Sequence, residues 1–199
     1  MVADSPVRVR ILDIADELFY QRGIHAVGID EAVARSRVAK TTLYSHFGSK
    51  DQLIAAYLRR RSETWQRYLE ADLAVFPGTP AEAIDHIFEM IAEGCAMPTF
   101  RGCPFINFVV EFPDRTHPAW EVCLAHRQWL HEILARIARA GEAANPDHLA
   151  VQLCLLYDAA MVGSLFENAG QSAATMRDVA TTLARAAMPI AGVGSASGG

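Results

Sequence analysis

Residues Ile11 to Leu53 constrain the fold more than any other part of the chain. Three short helical patterns fall within fewer than fifty residues, and the third is a brief run of small polar and aromatic side chains, Lys40-Thr41-Thr42-Leu43-Tyr44-Ser45-His46-Phe47. Two apolar-periodic segments joined by a tight turn form a helix-turn-helix pattern. A second helix rich in Thr, Ser, Tyr, Lys and His can reach base edges and phosphates, which makes double-stranded DNA the leading candidate partner.

The pattern also carries a resemblance. A long first helix ends in Phe19-x-x-x-Gly23, an apolar helix follows, and then come Val38, Lys40, Thr42, Leu43, Tyr44, His46, Phe47, Ser49, Lys50 and Leu53 in order. About a dozen positions over the first quarter of the chain are thereby matched, and the stretch resembles the TetR family of transcriptional regulators. The resemblance implies an all-α protein of about nine helices. An N-terminal three-helix helix-turn-helix domain, 1–50, would be followed by a helical effector-binding and dimerisation domain, 51–190, and a flexible tail, 191–199. It implies a repressor released from a near-palindromic operator by a small, mostly apolar effector, with no cofactor, no bound metal and no enzymatic activity.

Charge is distributed to suit a DNA reader. The chain carries a net −5, yet residues 1–61 hold ten Lys or Arg against seven Asp or Glu and carry +3. The remainder holds eight and sixteen and carries −8. A basic end on an acidic body fits DNA at one end and another task in the body. No apolar run approaches the roughly 18–20 residues of a membrane span. The start, with Asp4 and early arginines, is not expected to be a signal peptide. Cys95, Cys103, Cys123 and Cys154 are scattered with no C-x-x-C pair, so a cytoplasmic protein with reduced thiols is expected.

Helix signals punctuate the rest. Ser5-Pro6 opens a first helix that Gly23 would close in the left-handed conformation. Ser49-x-x-Gln52 is a capping box for a long fourth helix through about Val75, and Thr79-Pro80-x-Glu82 repeats the signal for a fifth, about 80–96. Further helices are predicted over Pro104–Phe112, about 117–140, about 146–169 from Asn145-Pro146, and about 172–188 capped by Ser172.

Within the motif, Ile29, Ala32, Val33, Leu43 and Phe47 are expected to hold its helices against the first. Lys40, Thr41, Thr42 and Ser45 occupy the first turns of the third helix, the end that enters the major groove in this motif. By resemblance, Tyr44 and His46 lie against the DNA backbone, although the His46 ring could instead pack under the motif. Lys50 would meet phosphate at the start of the fourth helix. Arg8 and Arg10 either grip phosphate or face water. Some positions depart from the family pattern. Arg37 stands where the turn usually carries Gly, costing about 1–2 kcal/mol if left-handed. Ala39 replaces a Ser cap and forfeits on the order of 1 kcal/mol. Val27-Gly28 stands where the second helix commonly starts with Thr, which questions phosphate contacts from that helix. Thr41 replaces a common small residue, so the operator cannot be borrowed from relatives.

In the body, Ala159, Ala160, Gly163, Ser164, Ala180, Ala184 and Ala187 permit close helix approach, flanked by Leu149, Leu153, Leu156, Met176, Val179 and Leu183. The resemblance places a four-helix homodimer interface there; the alternative is an intramolecular core. Aromatic and methionine side chains are frequent between the fourth and eighth helices, which suits an apolar effector pocket. Phe105, Phe108, Trp120, Tyr157 and Met161 are candidate lining residues, with Asn107, Glu111 and His126 as candidate polar contacts. A metal site using His86 or His117 has no supporting ligand spacing. Cys103 is the thiol to watch for oxidant sensing, against a default of buried, inert cysteines. An enzyme reading finds no G-x-S-x-G, P-loop, H-E-x-x-H or G-x-G-x-x-G. A DNA-binding dimer without effector, and an activator, remain alternatives.

Overall fold

A computed structural model of the chain describes residues 5–166 and 169–188. Among the described residues there are nine α-helices and no strand: α1 (Pro6–Arg22), α2 (Ile29–Ser36), α3 (Lys40–Phe47), α4 (Lys50–Val75), α5 (Pro80–Ala96), α6 (Pro104–Glu111), α7 (Ala119–Ala140), α8 (Pro146–Gly163) and α9 (Ala169–Ala187). None of them is long and apolar enough to cross a membrane. The tail 191–199 lies outside the described residues.

Local signals explain four of the helix starts. Ser5 Oγ accepts from Arg8 N, Asn145 Oδ1 accepts from His148 N, and Ser49 Oγ accepts from Gln52 N. Thr79 and Glu82 form a reciprocal capping box, each side chain accepting the other's backbone N–H. These caps satisfy amides that no helical carbonyl reaches.

Three expectations need correction. Gly23 closes α1 at φ 86, ψ 151, beyond the left-handed helical region and in one that is essentially restricted to glycine. The eighth helix stops at Gly163 rather than near 169, because Leu165 and Phe166 bond back to Val162 and Gly163 and tighten the last turn. Finally, α9 is already helical at Ala169, so Ser172 lies inside its first turn and is not its cap.

The chain divides into two compact units. The first runs to Glu70 and includes Arg101–Arg127; the second holds Ala71–Phe100 and the chain from Gln128 on. In the first, α1 packs on α2 and α3, burying Ile11, Ala15, Leu18, Phe19, Ala32, Leu43 and Phe47. Leu53, Ile54, Tyr57 and Leu58 of α4 are also buried. Tyr57 meets Phe19 edge-on at 5.7 Å, and Arg61 pairs with Asp16 through two contacts of 2.7 and 3.0 Å. Ser36, wholly buried, keeps its hydroxyl satisfied by donating to Ala32 O and Val33 O.

In the second unit α9 packs on α5 and α8. Ala160, Ser164, Ala180 and Ala184 are buried here, as are Leu149 and Leu153. Ala160, Ser164, Ala180 and Ala184 therefore belong to the protomer's own core, the alternative weighed for them, while Ala159 and Val179 of the same set stay exposed. Arg177 of α9 fixes α5 with a bidentate pair to Asp85, both contacts 2.8 Å, and a third to Glu89 at 2.9 Å. That arrangement holds the Asp85 carboxyl at about 2, below the usual range, with the Arg177 hydrogen bonds as the main cause.

Candidate nucleic-acid interface

Helix α3 presents two chemically distinct faces. Leu43 is fully buried and Phe47 nearly so, while Ala32 on α2 is buried and Ile29 and Val33 are half-buried. Lys40, Thr41, Tyr44 and Ser45 are exposed, at the i, i+1, i+4, i+5 spacing of one helical face. Thr42 and His46 are half-buried at the edges of that face. The His46 ring is tilted against Phe47 at 6.4 Å. Tyr44 is 39% exposed and packs into no part of the core. The Ser45 hydroxyl donates to Thr42 O and keeps its lone pairs available.

The turns are as strained as the sequence suggests. Arg37 adopts the left-handed conformation, φ 53 and ψ 46, and closes α2 through its N–H to Ala34 O. Ala39 and Gly28, at the starts of α3 and α2, give no side-chain cap. Gly28 is followed by Asp30 and Glu31 in the first turn of α2.

Charged partners surround the motif. Lys40 Nζ lies 2.7 Å from Asp30 Oδ1, and this hydrogen bond raises the lysine pKa above its ordinary value. Lys50 is turned inward, its Nζ donating to Ile24 O at 3.0 Å, and burial lowers its pKa. The Arg8 guanidinium sits 4.9 Å over the Phe47 ring, while Arg10 is exposed.

Next to the motif, within the same unit, α6 grips the turn between α1 and α2. Glu111 Oε1 accepts from Ile24 N at 3.2 Å and Oε2 accepts from His25 N at 2.8 Å. The His25 ring stacks on Phe112 at 4.3 Å. At the other end of α6 the Tyr20 hydroxyl donates to Gly102 O and accepts from Arg101 N, both at 3.0 Å. Ile24 thus has its N–H held by α6 and its carbonyl held by α4. The turn itself carries no sequence signal for these ties, since Glu111 lies 87 residues away from Ile24.

Six of the eight candidate effector residues fall in the first unit, and Tyr157 and Met161 in the second. Phe105 stacks on His126 at 3.7 Å, and Phe108 meets Trp120 edge-on at 6.2 Å. His126 is buried, and its Nδ1 is 2.9 Å from Ser62 Oγ, which also accepts from Gln66. Burial pushes its pKa down to about 4. Asn107 and Glu111, read together as polar effector contacts, have separate partners: Asn107 donates to Arg101 O and Glu111 holds the α1–α2 turn. Trp120 donates to Phe112 O. All four thiols, Cys95, Cys103, Cys123 and Cys154, are buried, and desolvation pushes Cys123 up to about 12, a poor nucleophile at neutral pH.

The profile of bacterial regulatory proteins of the tetR family matches residues 11–57, the segment that forms the motif. A crystal structure of a TetR-family transcriptional regulator from Streptomyces coelicolor is 31% identical, covers 91% of this chain and 95% of its own, and superposes with a TM-score of 0.85. An HTH-type transcriptional repressor from Mycobacterium tuberculosis is 31% identical over 108 residues, 54% of either chain. The match therefore spans about half the length of that curated relative. The HTH-type transcriptional activator FasR from Mycolicibacterium smegmatis is 47% identical over 53 residues, 27% of this chain and 24% of its own.

Proposed function

The chain belongs to the TetR family of DNA-binding transcriptional regulators, and we propose that it acts in the cytoplasm as a homodimeric repressor released from a near-palindromic operator by a small, mostly apolar effector. The exposed polar face of α3 carries this reading: Lys40, Thr41, Tyr44 and Ser45 point outward while Leu43 and Phe47 anchor the helix. Lys40, Thr41, Thr42 and Ser45 are assigned to the major groove, Tyr44 and His46 to the backbone. Lys50 is assigned to phosphate as well, its ammonium donating to Ile24 O with one of its three N–H groups and keeping two for an anion.

We assign DNA reading to residues 1–50 and effector binding with dimerisation to 51–190. Dimerisation is supported by an apolar face outside the core: Val151, Leu155, Ala159 and Val162 share one exposed side of α8, and Val179 is exposed on α9. One reading helix contacts too few bases for useful selectivity, so two copies are needed. For the effector, the Phe105–His126 stack, with Phe108 and Trp120, supports an apolar or aromatic compound. Effector bound at α6 would act through the Glu111 grip on the turn and through α4, which starts at Ser49 and Lys50. A preference of about 1–3 kcal/mol for the DNA-free state suffices for release. Activation is the second reading, favoured by the reading-head identity with FasR.

Fluorescence anisotropy of the full chain on DNA from upstream of its own gene, at two salt concentrations, tests the proposal. Tight, salt-sensitive binding that survives excess random DNA is expected, and Tyr44→Ala should weaken it at least tenfold with the dimer intact. Undiminished affinity in that variant removes α3 as the reading helix.

A further inference from the structure

The segment that joins α2 to α3 holds a cation in a strained conformation. Arg37 sits at φ 53, ψ 46, and among the described residues only Glu142 shares its positive φ without being glycine. Glycine adopts this conformation with no Cβ clash, so an arginine retained here points to a use for its side chain. Arg37 is exposed and, among the described residues, meets no carboxylate. The cations around it are matched: Arg35 by Glu17, Lys40 by Asp30 and, at the end of α1, Arg22 by Glu31.

Placement gives that free charge a target. Arg37 stands three residues before Lys40, where α3 begins, and the N-terminal end of the second helix is the end that meets DNA in this motif. Ala39 and Gly28, at the starts of α3 and α2, have no hydroxyl to offer a phosphate. We propose that Arg37 is a phosphate-binding residue whose guanidinium grips the DNA backbone beside the leading end of α3. The proposal rests on α3 being the reading helix. A guanidinium can donate to two phosphate oxygens at once. Phosphates are alike in every sequence, so the contact strengthens operator and random DNA equally and carries no base preference. It also releases condensed counterions, adding about 0.9 to the log–log salt slope. Folding and binding thus make opposite demands at this position: glycine suits the turn, and arginine suits the DNA.

The experiment is anisotropy with the full-length chain on two duplexes, one of random sequence and one selected by the wild-type protein from a random pool, across a salt series. Arg37→Gly should weaken binding to both by about five- to tenfold near 0.1 M salt, reduce the slope by about 0.9 and leave the operator-to-random ratio within about twofold. It should also melt at or above the wild-type midpoint, which separates lost contact from a damaged fold. Arg37→Gln removes the charge but keeps a Cβ in the turn, and should lose the same affinity and slope. Arg37→Lys keeps the charge and should retain the wild-type slope. Arg59 is also exposed and, among the described residues, meets no carboxylate; it lies nine residues beyond Lys50, about 14 Å along α4. Arg59→Gln makes the same change in net charge and should leave the slope unchanged. The proposal is overturned if Arg37→Gly and Arg37→Gln keep the wild-type slope, if their operator-to-random ratio falls as it would for a base contact, or if Arg59→Gln lowers the slope as much. Failure of the underlying reading looks different: Tyr44→Ala would keep wild-type affinity for the selected duplex.

Discussion

Replacing Glu111 by alanine removes both acceptors that hold the turn between α1 and α2. Ile24 is 3% exposed, and its N–H, bonded to Oε1 at 3.2 Å, would lose its partner where water has poor access. A buried donor left unsatisfied costs about 1–3 kcal/mol. The His25 N–H, bonded at 2.8 Å, lies at the surface and can turn to water, so its loss adds only about 0.5–1 kcal/mol. The sum is about 1.5–4 kcal/mol, and Glu111→Gln, which keeps one carbonyl oxygen for one amide, should lose about half as much. Urea unfolding measures the stability, and hydrogen exchange at the Ile24 and His25 amides localises it, with faster exchange expected at both. A loss below about 0.5 kcal/mol with unchanged exchange at Ile24 would refute the reasoning, because a carboxylate that carries the turn cannot be removed without cost. It would also return Glu111 to the effector-contact role that its spacing from Asn107 suggests.

Dimerisation is tested by Leu155→Glu, which places a charge in the middle of the exposed α8 face; light scattering should show a monomer with unchanged helicity, and a persistent dimer would exclude this face. Stability should also depend on pH through His126, whose folded-state pKa of about 4 lies below its ordinary 6.5. The unfolded chain then binds the extra proton, so stability is intact above pH 6.5 and falls by up to about 1.4 kcal/mol per pH unit toward pH 4. His126→Gln should flatten that part of the profile, and an identical slope in the variant would remove His126 as its source.

What could be read from the chain alone was local. Caps at Ser5, Thr79 and Asn145 and the 3.6-residue periodicity depend on neighbours within one turn, so the helices and the outward polar face of α3 were legible. That Arg37 is left-handed was only a conditional reading, from the glycine its place usually carries in the family, and the structure decides it. Which face of a helix meets which neighbour is not local. Ala160, Ala180 and Ala184 have the composition of an intermolecular seam, yet the packing of α9 on α5 and α8 buries them within one protomer and leaves Val151 and Leu155 outside. Glu111 shares a face with Asn107 in any helix, but only the meeting of α6 with the α1–α2 turn decides that its carboxylate serves two backbone amides. The pairing of Asp30 with Lys40 likewise depends on the angle between two short helices. Periodicity is set by the residues themselves, whereas partners are set by how helices cross, and that angle emerges only when every face is packed at once.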